Sequence, residues 1–205
     1  GFNALQNDVL LPLIRKKHEG EVLKVWIVAC STGEEAYSIA ILIDELLQKE
    51  DKYLEVKIFA SDIDQEAIEY ASRATYEPSN LQEIDPSLIE RYFFRENDRY
   101  VVHSRIRKQI VFARHNILKD PPFIKNDIVS CRNMLIYMNN ILQKKIITTF
   151  EFALNTGGYL FLGPSESPVN INDGFKELNG KWKLYQKVTN DTRFNAERLP
   201  SAQSL

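Results

Sequence analysis

Four short stretches of this 205-residue chain carry polar groups of the kind that hold a ligand. The first is Ser31-Thr32-Gly33-Glu34-Glu35. With one glycine and no lysine it is neither a dinucleotide fingerprint nor a P-loop, and two adjacent carboxylates would repel a pyrophosphate. A ligand with positive charge, or with hydroxyl and amine donors, suits it better. The local alternative is that Ser31 or Thr32 caps a helix whose dipole Glu34 and Glu35 complement. The second stretch supplies Asp62 and Asp64. An acid at the end of a second strand can accept hydrogen bonds from a ribose diol. The alternative is a helix N-cap, which Asp64 fits well, so the two acids can divide the roles. The third stretch is Asn116-Ile117, and the fourth is Cys131-Arg132-Asn133-Met134-Leu135-Ile136-Tyr137. There a guanidinium, an amide and a phenol leave one strand end, and each needs partners; a structural hydrogen-bond network is the alternative. Acids and asparagines without a phosphate cradle favour a nucleoside with a cationic appendage, a description that S-adenosylmethionine fits.

The elements that must position these stretches are legible as short apolar runs separated by helices. Lys24–Ala29, Val56–Ala60, Asp127–Cys131, residues 159–162 and Lys181–Val188 read as strands. Helices are expected from Glu34 to Glu50, from Asp64 to about Ser72 and from about Asn139 to Ala153. Repeated alternation predicts a parallel α/β sheet with helices on both faces, and in such sheets ligands sit outside the carboxyl ends of the strands. Residues 91–116 break the alternation. Tyr100–His103 and Gln109–Ala113 look like strands with no helix between them, so a small antiparallel excursion is expected there. Before it, Asp85-Pro86 reads as the cap and first position of a short helix.

Size and composition bound the rest. The chain is long enough for one sizeable core, its 44% hydrophobic and 26% charged residues are ordinary for a globular protein, and a net charge of −2 offers a polyanion nothing. No nucleic acid and no membrane insertion are expected, since no apolar run approaches the roughly 20 residues of a span. Cys30 and Cys131 make neither a disulfide framework nor a zinc site, and His18, His103 and His115 lack ligand spacing, so no metal is expected and a cytoplasmic location suits the chain. Phe2, Leu5, Val9, Leu10 and Leu13 recur at helical spacing from the first residue, and 189–205 is polar and aperiodic. The expectation is one domain over 1–188 with 91–116 as a small subdomain, then a linker, all cut from a longer protein.

Taken together the stretches resemble the CheR family. The matching pieces are Val25-Trp26 running into Cys30-Ser-Thr-Gly-Glu-Glu-Ala-Tyr-Ser-Ile-Ala40, then Ala60-Ser-Asp-Ile-Asp64, Val111-Phe112 with Asn116-Ile-Leu118, Cys131–Tyr137, and Gly157-Gly-Tyr-Leu-Phe-Leu-Gly-Pro-Ser-Glu-Ser167. They fall in the family's order over roughly residues 2 to 188. The resemblance implies a Rossmann-like seven-stranded methyltransferase sheet and methyl transfer from S-adenosylmethionine, leaving S-adenosylhomocysteine, to glutamates of chemoreceptor cytoplasmic domains. By position it implies Glu35 and Asp62 on polar groups of the cofactor, Asp62 at the ribose. Asn116 and Ile117 would border the adenine, Arg132 and Asn133 the methionine end, and Tyr137 the reacting groups.

Some features depart from the family. Ala36 stands for the usual proline, and Asn155-Thr156 for Lys-Pro. The family's helical N-terminal domain, with an arginine that approaches cofactor and substrate, would end just before this chain starts. The short turn Glu96-Asn-Asp98 resembles members that dock no receptor-tail peptide, and the closing residues resemble versions fused to other signalling domains. Glutamate is ionised at neutral pH, with a pKa of about 4.3, so an in-line displacement needs alignment and water exclusion rather than a base; Tyr137 would orient a carboxylate oxygen. The competing readings are a non-catalytic module that binds the cofactor and docks a partner, and a methyltransferase for another protein acceptor.

Overall fold

The computed structural model describes residues 1–167, 171 and 173–188. Seven strands form the main sheet in the order β6-β2-β1-β7-β8-β10-β9. They are β1 (Val22–Val28), β2 (Glu55–Asp62), β6 (Ile110–Arg114), β7 (Asn126–Cys131), β8 (Leu154–Leu162), β9 (Phe175–Asn179) and β10 (Leu184–Lys187). The first five pair in parallel, and β10 lies antiparallel to both β8 and β9. The expected α/β class with a mostly parallel seven-stranded sheet is the observed one. Outward from β1 the order reverses, which is the switch point where open α/β sheets bind ligands.

Alternation along the central strands builds two cores. Leu23, Val25 and Ile27 of β1 face one, and Trp26 and Val28 face the other. Burial on both faces is why these strands read as continuous apolar runs. The first core takes α3 (Glu34–Lys49) and α4 (Gln65–Ser72), together with a leading helical segment. That segment runs through α1 (Phe2–Ala4), a π-helical turn Leu5–Leu10 and α2 (Leu11–Lys16). Pro12 has no N–H to give, and the turn before it widens to π spacing. Leu5, Val9, Leu10 and Leu13 are buried, as their spacing predicts. The second core is closed by α7 (Asn140–Ala153), whose cap Asn139 accepts from the Leu142 N–H. Trp26 lies at its centre, fully buried, with its indole N–H donating to Ser61 Oγ at 2.9 Å.

The connection from β2 to β6 carries the small sheet. It holds β3 (Thr75–Tyr76), a 3-10 turn Pro78–Leu81, α5 (Pro86–Tyr92), β4 (Phe93–Glu96), β5 (Arg99–Val102) and α6 (Ser104–Arg107). The order β3-β5-β4 is antiparallel throughout. Asp85 caps α5 as expected, accepting from the Ser87 N–H at 2.9 Å. The excursion is therefore real, but its second expected strand is not part of it. Residues 110–114 instead pair in parallel with β2, and the four-residue α6 separates them from β5. Ile110–Arg114 is an edge strand with Val111 53% exposed, so its pattern resembles that of a free hairpin. Asp44 of α3 joins the two parts: it accepts from the Tyr92 hydroxyl at 2.7 Å and from Arg105 at 3.2 Å.

Two further differences lie at the sheet's other edge. β9 carries a single well-buried side chain, Phe175, and so no readable period. Residues 181–183 form a turn before β10. The linker expected over 189–205 lies outside the described residues. Among the described residues no helix is long and apolar enough to cross a membrane.

Candidate active site

Register brings the four stretches together. Val28 of β1 pairs with Ser61 of β2 and Cys131 of β7, Asp62 pairs with Arg114 of β6, and Cys131 pairs with Leu162 of β8. Five parallel strands thus end level, and the loops that follow them gather on one edge of the sheet.

The loop after β1 is tightly bent: Ala29 and Ser31 take positive φ of 57° and 51°, and Gly33 takes 92°. A Cβ on Gly33 would approach Ala71 Cβ to 2.8 Å, so only glycine fits there. The helix cap expected at Ser31 or Thr32 is absent. Gly33 itself is the N-cap, and the Thr32 hydroxyl donates to Glu34 instead. Glu34 points to solvent, whereas Glu35 turns inward and accepts from Ser130 Oγ at 2.8 Å. Burial pushes the Glu35 carboxyl above its ordinary value, while the Ser130 hydroxyl and the charge of Arg132 pull the other way.

Asp62 and Asp64 divide their work. Asp64 is the α4 cap, accepting from the Glu66 and Ala67 N–H groups at 3.0 and 3.4 Å. Asp62 ties the first loop to the second: Oδ2 accepts from the Ser31 N–H at 2.8 Å and Oδ1 from the Asp64 N–H at 3.0 Å. Each oxygen keeps a lone pair for a further donor. Next to it the His115 N–H donates to the Asp62 carbonyl, which carries the chain into Asn116. Asn116 Oδ1 accepts from the Leu118 N–H at 3.0 Å, and Ile117 is buried in the second core.

In the loop after β7, the guanidinium of Arg132 stacks over Phe161, 4.7 Å from the ring centroid, and over Phe2 at 5.4 Å. Its Nε is buried without a hydrogen-bond partner among the described residues. Asn133 takes φ +64° with its side chain exposed. Tyr137 closes a 3-10 turn, Leu135–Tyr137, and is 80% exposed. Glu35 and Arg132 are thus brought into mutual influence and Asp62 into the adjoining loops. Asn133 and Tyr137 stand in solvent at the rim rather than within a buried network.

Three supporting residues were given no role in the sequence reading, although Phe161 and Glu166 lie in its Gly157–Ser167 stretch. Ser130 is a polar residue inside an apolar strand, the one signal that could have drawn attention to it. Phe161 is the platform under Arg132 and looks like any core residue in sequence. Glu166, 1% exposed, follows β8 and bonds back to the loop after β7. Both cysteines are free and buried, and burial pushes the Cys30 thiol up to about 12 and the Cys131 thiol well above its ordinary value, which disfavours the reactive thiolate at both. Among the described residues no three metal-ligating side chains gather.

This set fits an ampholytic nucleoside. A partly buried carboxylate with one hydrogen bond suits a cation, a guanidinium with a buried free N–H suits a carboxylate, and Asp62 can take two more donors. S-adenosylmethionine offers all three: ammonium and sulfonium, carboxylate, and ribose diol.

Residues 1–184 match the family described as CheR methyltransferase, SAM binding domain. An uncharacterized 104.1 kDa protein of Rhodobacter capsulatus is 37% identical over 187 residues, covering 91% of this chain and 20% of that protein. Chemotaxis protein methyltransferase 2 of Vibrio cholerae is 32% identical, over 85% of this chain and 61% of its own length. The chemotaxis protein methyltransferase of Salmonella typhimurium is 36% identical, over 80% and 57%. The chain thus spans a fifth of the first relative and about three-fifths of the other two. With the sheet order, the switch-point loops and a family match over nearly its whole length, this chain belongs to the CheR methyltransferase family as its S-adenosylmethionine-binding domain.

Proposed function

We propose that this domain serves a protein-glutamate O-methyltransferase acting in the cytoplasm on the cytoplasmic regions of chemoreceptors. The observation that carries the cofactor half of this reading is the Glu35–Arg132 arrangement in the loops after β1 and β7, a half-buried carboxylate held by Ser130 and under the influence of a guanidinium whose Nε has no partner among the described residues; the likeness to chemotaxis protein methyltransferases supports the acceptor. In it Glu35 holds the cofactor's positive end, Arg132 and Asn133 its methionine carboxylate, Asp62 the ribose, and Asn116 with Ile117 the adenine side. Residues 1–188 act as one unit, joined to other domains of a longer chain.

When bound, S-adenosylmethionine would supply a methyl group on a positively charged sulfur, which an ionised carboxylate could take directly without a proton being moved. The chain's residues need only align the partners and keep water away. Tyr137, 80% exposed at the rim, orients an incoming carboxylate through its hydroxyl in this reading. The test is transfer of labelled methyl from S-adenosylmethionine to a receptor cytoplasmic fragment by the full-length protein. Label released by mild base, as an ester requires, is the expected result. Transfer to a different protein would move the assignment to another acceptor. Tight binding of S-adenosylhomocysteine without transfer to any acceptor would mark a docking module.

A further inference from the structure

The turn after β8 contains a carboxylate that the proposed chemistry leaves unused. Glu166 is 1% exposed, and among the described residues no cation pairs with it. Its Oε1 accepts from the backbone N–H of Met134 at 2.8 Å and of Leu135 at 3.2 Å, and its Oε2 from that of Gly163 at 3.3 Å. The Glu166 N–H in turn donates to the Gly163 carbonyl at 3.0 Å. Fixed amide donors replace the water that an isolated buried carboxylate would lose. Burial still pushes this carboxyl upward, against the pull of those N–H groups. An apolar side chain in this turn would leave the N–H groups of Met134, Leu135 and Gly163 short of an acceptor, so the carboxylate is there for its donors.

Those donors matter for what they belong to. Met134 and Leu135 directly follow Arg132 and Asn133, and directly precede Ile136 and Tyr137. Asn133 sits at φ +64°, in the left-handed region that asparagine enters more readily than most residues, and so turns the chain between Arg132 and Met134. The two loops also touch: a Cβ on Gly163 would lie 3.2 Å from the Asn133 nitrogen and 3.3 Å from its Oδ1. On the far side, Gln143 Nε2 donates to the Leu135 and Met138 carbonyls at 2.9 and 3.0 Å, tying the same turn to α7.

We propose that Glu166 is the positioning residue of the transfer site, its carboxylate pinning the loop after β7 to the loop after β8 so that Arg132, Asn133 and Tyr137 are held in register. The proposal rests on the methyltransferase reading above. Glu166 touches no substrate; it acts through the backbone of 134–135.

The test uses the full-length protein with Glu166→Ala, Glu166→Gln and, as a distant core control, Ile43→Ala, whose side chain is fully buried in α3. S-adenosylmethionine binding is measured by calorimetry and turnover by labelled transfer, below the melting temperature of each variant. Glu166→Ala is expected to weaken binding about tenfold or more and to lower kcat even at saturating cofactor. Glu166→Gln keeps the Oε1 acceptor, sets an amide against the Gly163 N–H, and should fall between. Ile43→Ala should lose melting temperature with Kd unchanged. Wild-type Kd and kcat in Glu166→Ala, or in Glu166→Gln should the alanine variant not fold, overturn the proposal. Amide exchange supplies a readout independent of chemistry. Met134 and Leu135 should exchange slowly in the wild type and faster in Glu166→Ala, and Gly163, left facing an amide, should exchange faster in Glu166→Gln; wild-type rates in both variants overturn the clamp. Failure of the wild type to bind the cofactor sinks the methyltransferase reading instead, and the exchange comparison still decides the clamp.

Discussion

Glu35 is the residue on which the electrostatics of the site turn. Its folded-state pKa is raised, so the folded protein binds its proton more tightly than the unfolded chain does. Stability therefore falls as pH rises from the unfolded value of about 4.3 through the folded value, and the loss persists at neutral pH. Glu35→Gln keeps an acceptor for Ser130 Oγ and removes the buried charge, so its melting temperature at pH 7 should equal or exceed that of the wild type. Cofactor affinity should move the other way. A charged hydrogen-bonded contact of about 1.5–3 kcal/mol corresponds to a Kd some 10- to 100-fold weaker. In the wild type, Kd should rise as pH falls, beginning above the ordinary glutamate range, because the protonated form no longer attracts a cation; in Glu35→Gln that dependence should flatten. Calorimetry across pH 4.5–8 for both proteins reads the difference. Tyr137 offers a separate check. Being 80% exposed, it should cost little stability when changed to Phe, and kcat should drop with cofactor Kd unmoved. Unchanged turnover would remove it from the chemistry.

Between elements, the loops matter through how they are joined. The carboxylate of Asp62 spans the loop after β1 and the start of α4, while Asp44 joins α3 to α5 and α6. These two acids should separate cleanly in experiment. Asp44→Ala strips the buried Tyr92 hydroxyl of its acceptor, a loss of about 1–3 kcal/mol in denaturant unfolding, and should leave cofactor Kd near the wild-type value. Gly33→Ala acts on the site side: a Cβ at 2.8 Å from Ala71 and φ of 92° together cost about 1–3 kcal/mol and displace the first loop. Its cofactor affinity should fall along with its stability, which binding and melting measured on one sample would show.

At the scale of the molecule, the site is assembled from loops that are far apart in sequence and adjacent only because the parallel strands end level. Cofactor binding should therefore stabilise the whole fold. At ligand 100 times above Kd the gain is about 2.7 kcal/mol, seen as a higher melting temperature with S-adenosylmethionine or S-adenosylhomocysteine. The gain should shrink in Glu35→Gln at the same ligand concentration. A wild-type melting curve indifferent to both ligands would contradict the assignment of this edge as the cofactor site.

The sequence by itself determined the elements whose signal is local. Central strands buried on both faces are apolar throughout, helices such as Glu34–Lys49 repeat every three or four residues, and the Asp64 and Asp85 caps sit where short-range hydrogen bonding puts them. It also pointed to the loops that carry Glu35, Asp62, Asn116 and Arg132, because polar residues after apolar runs have few other uses. Tertiary structure alone decided what depends on distant neighbours. Ile110–Arg114 joined the main sheet through β2, which lies almost 50 residues earlier in the chain. β9 formed as an edge that buries one side chain, too little to leave a period. The packing of Phe161 beneath Arg132, the inward turn of Glu35 toward Ser130, and the reach of Glu166 to Met134 and Leu135 all depend on register between strands. No periodicity encodes that register; it is fixed only when the two cores close on the sheet.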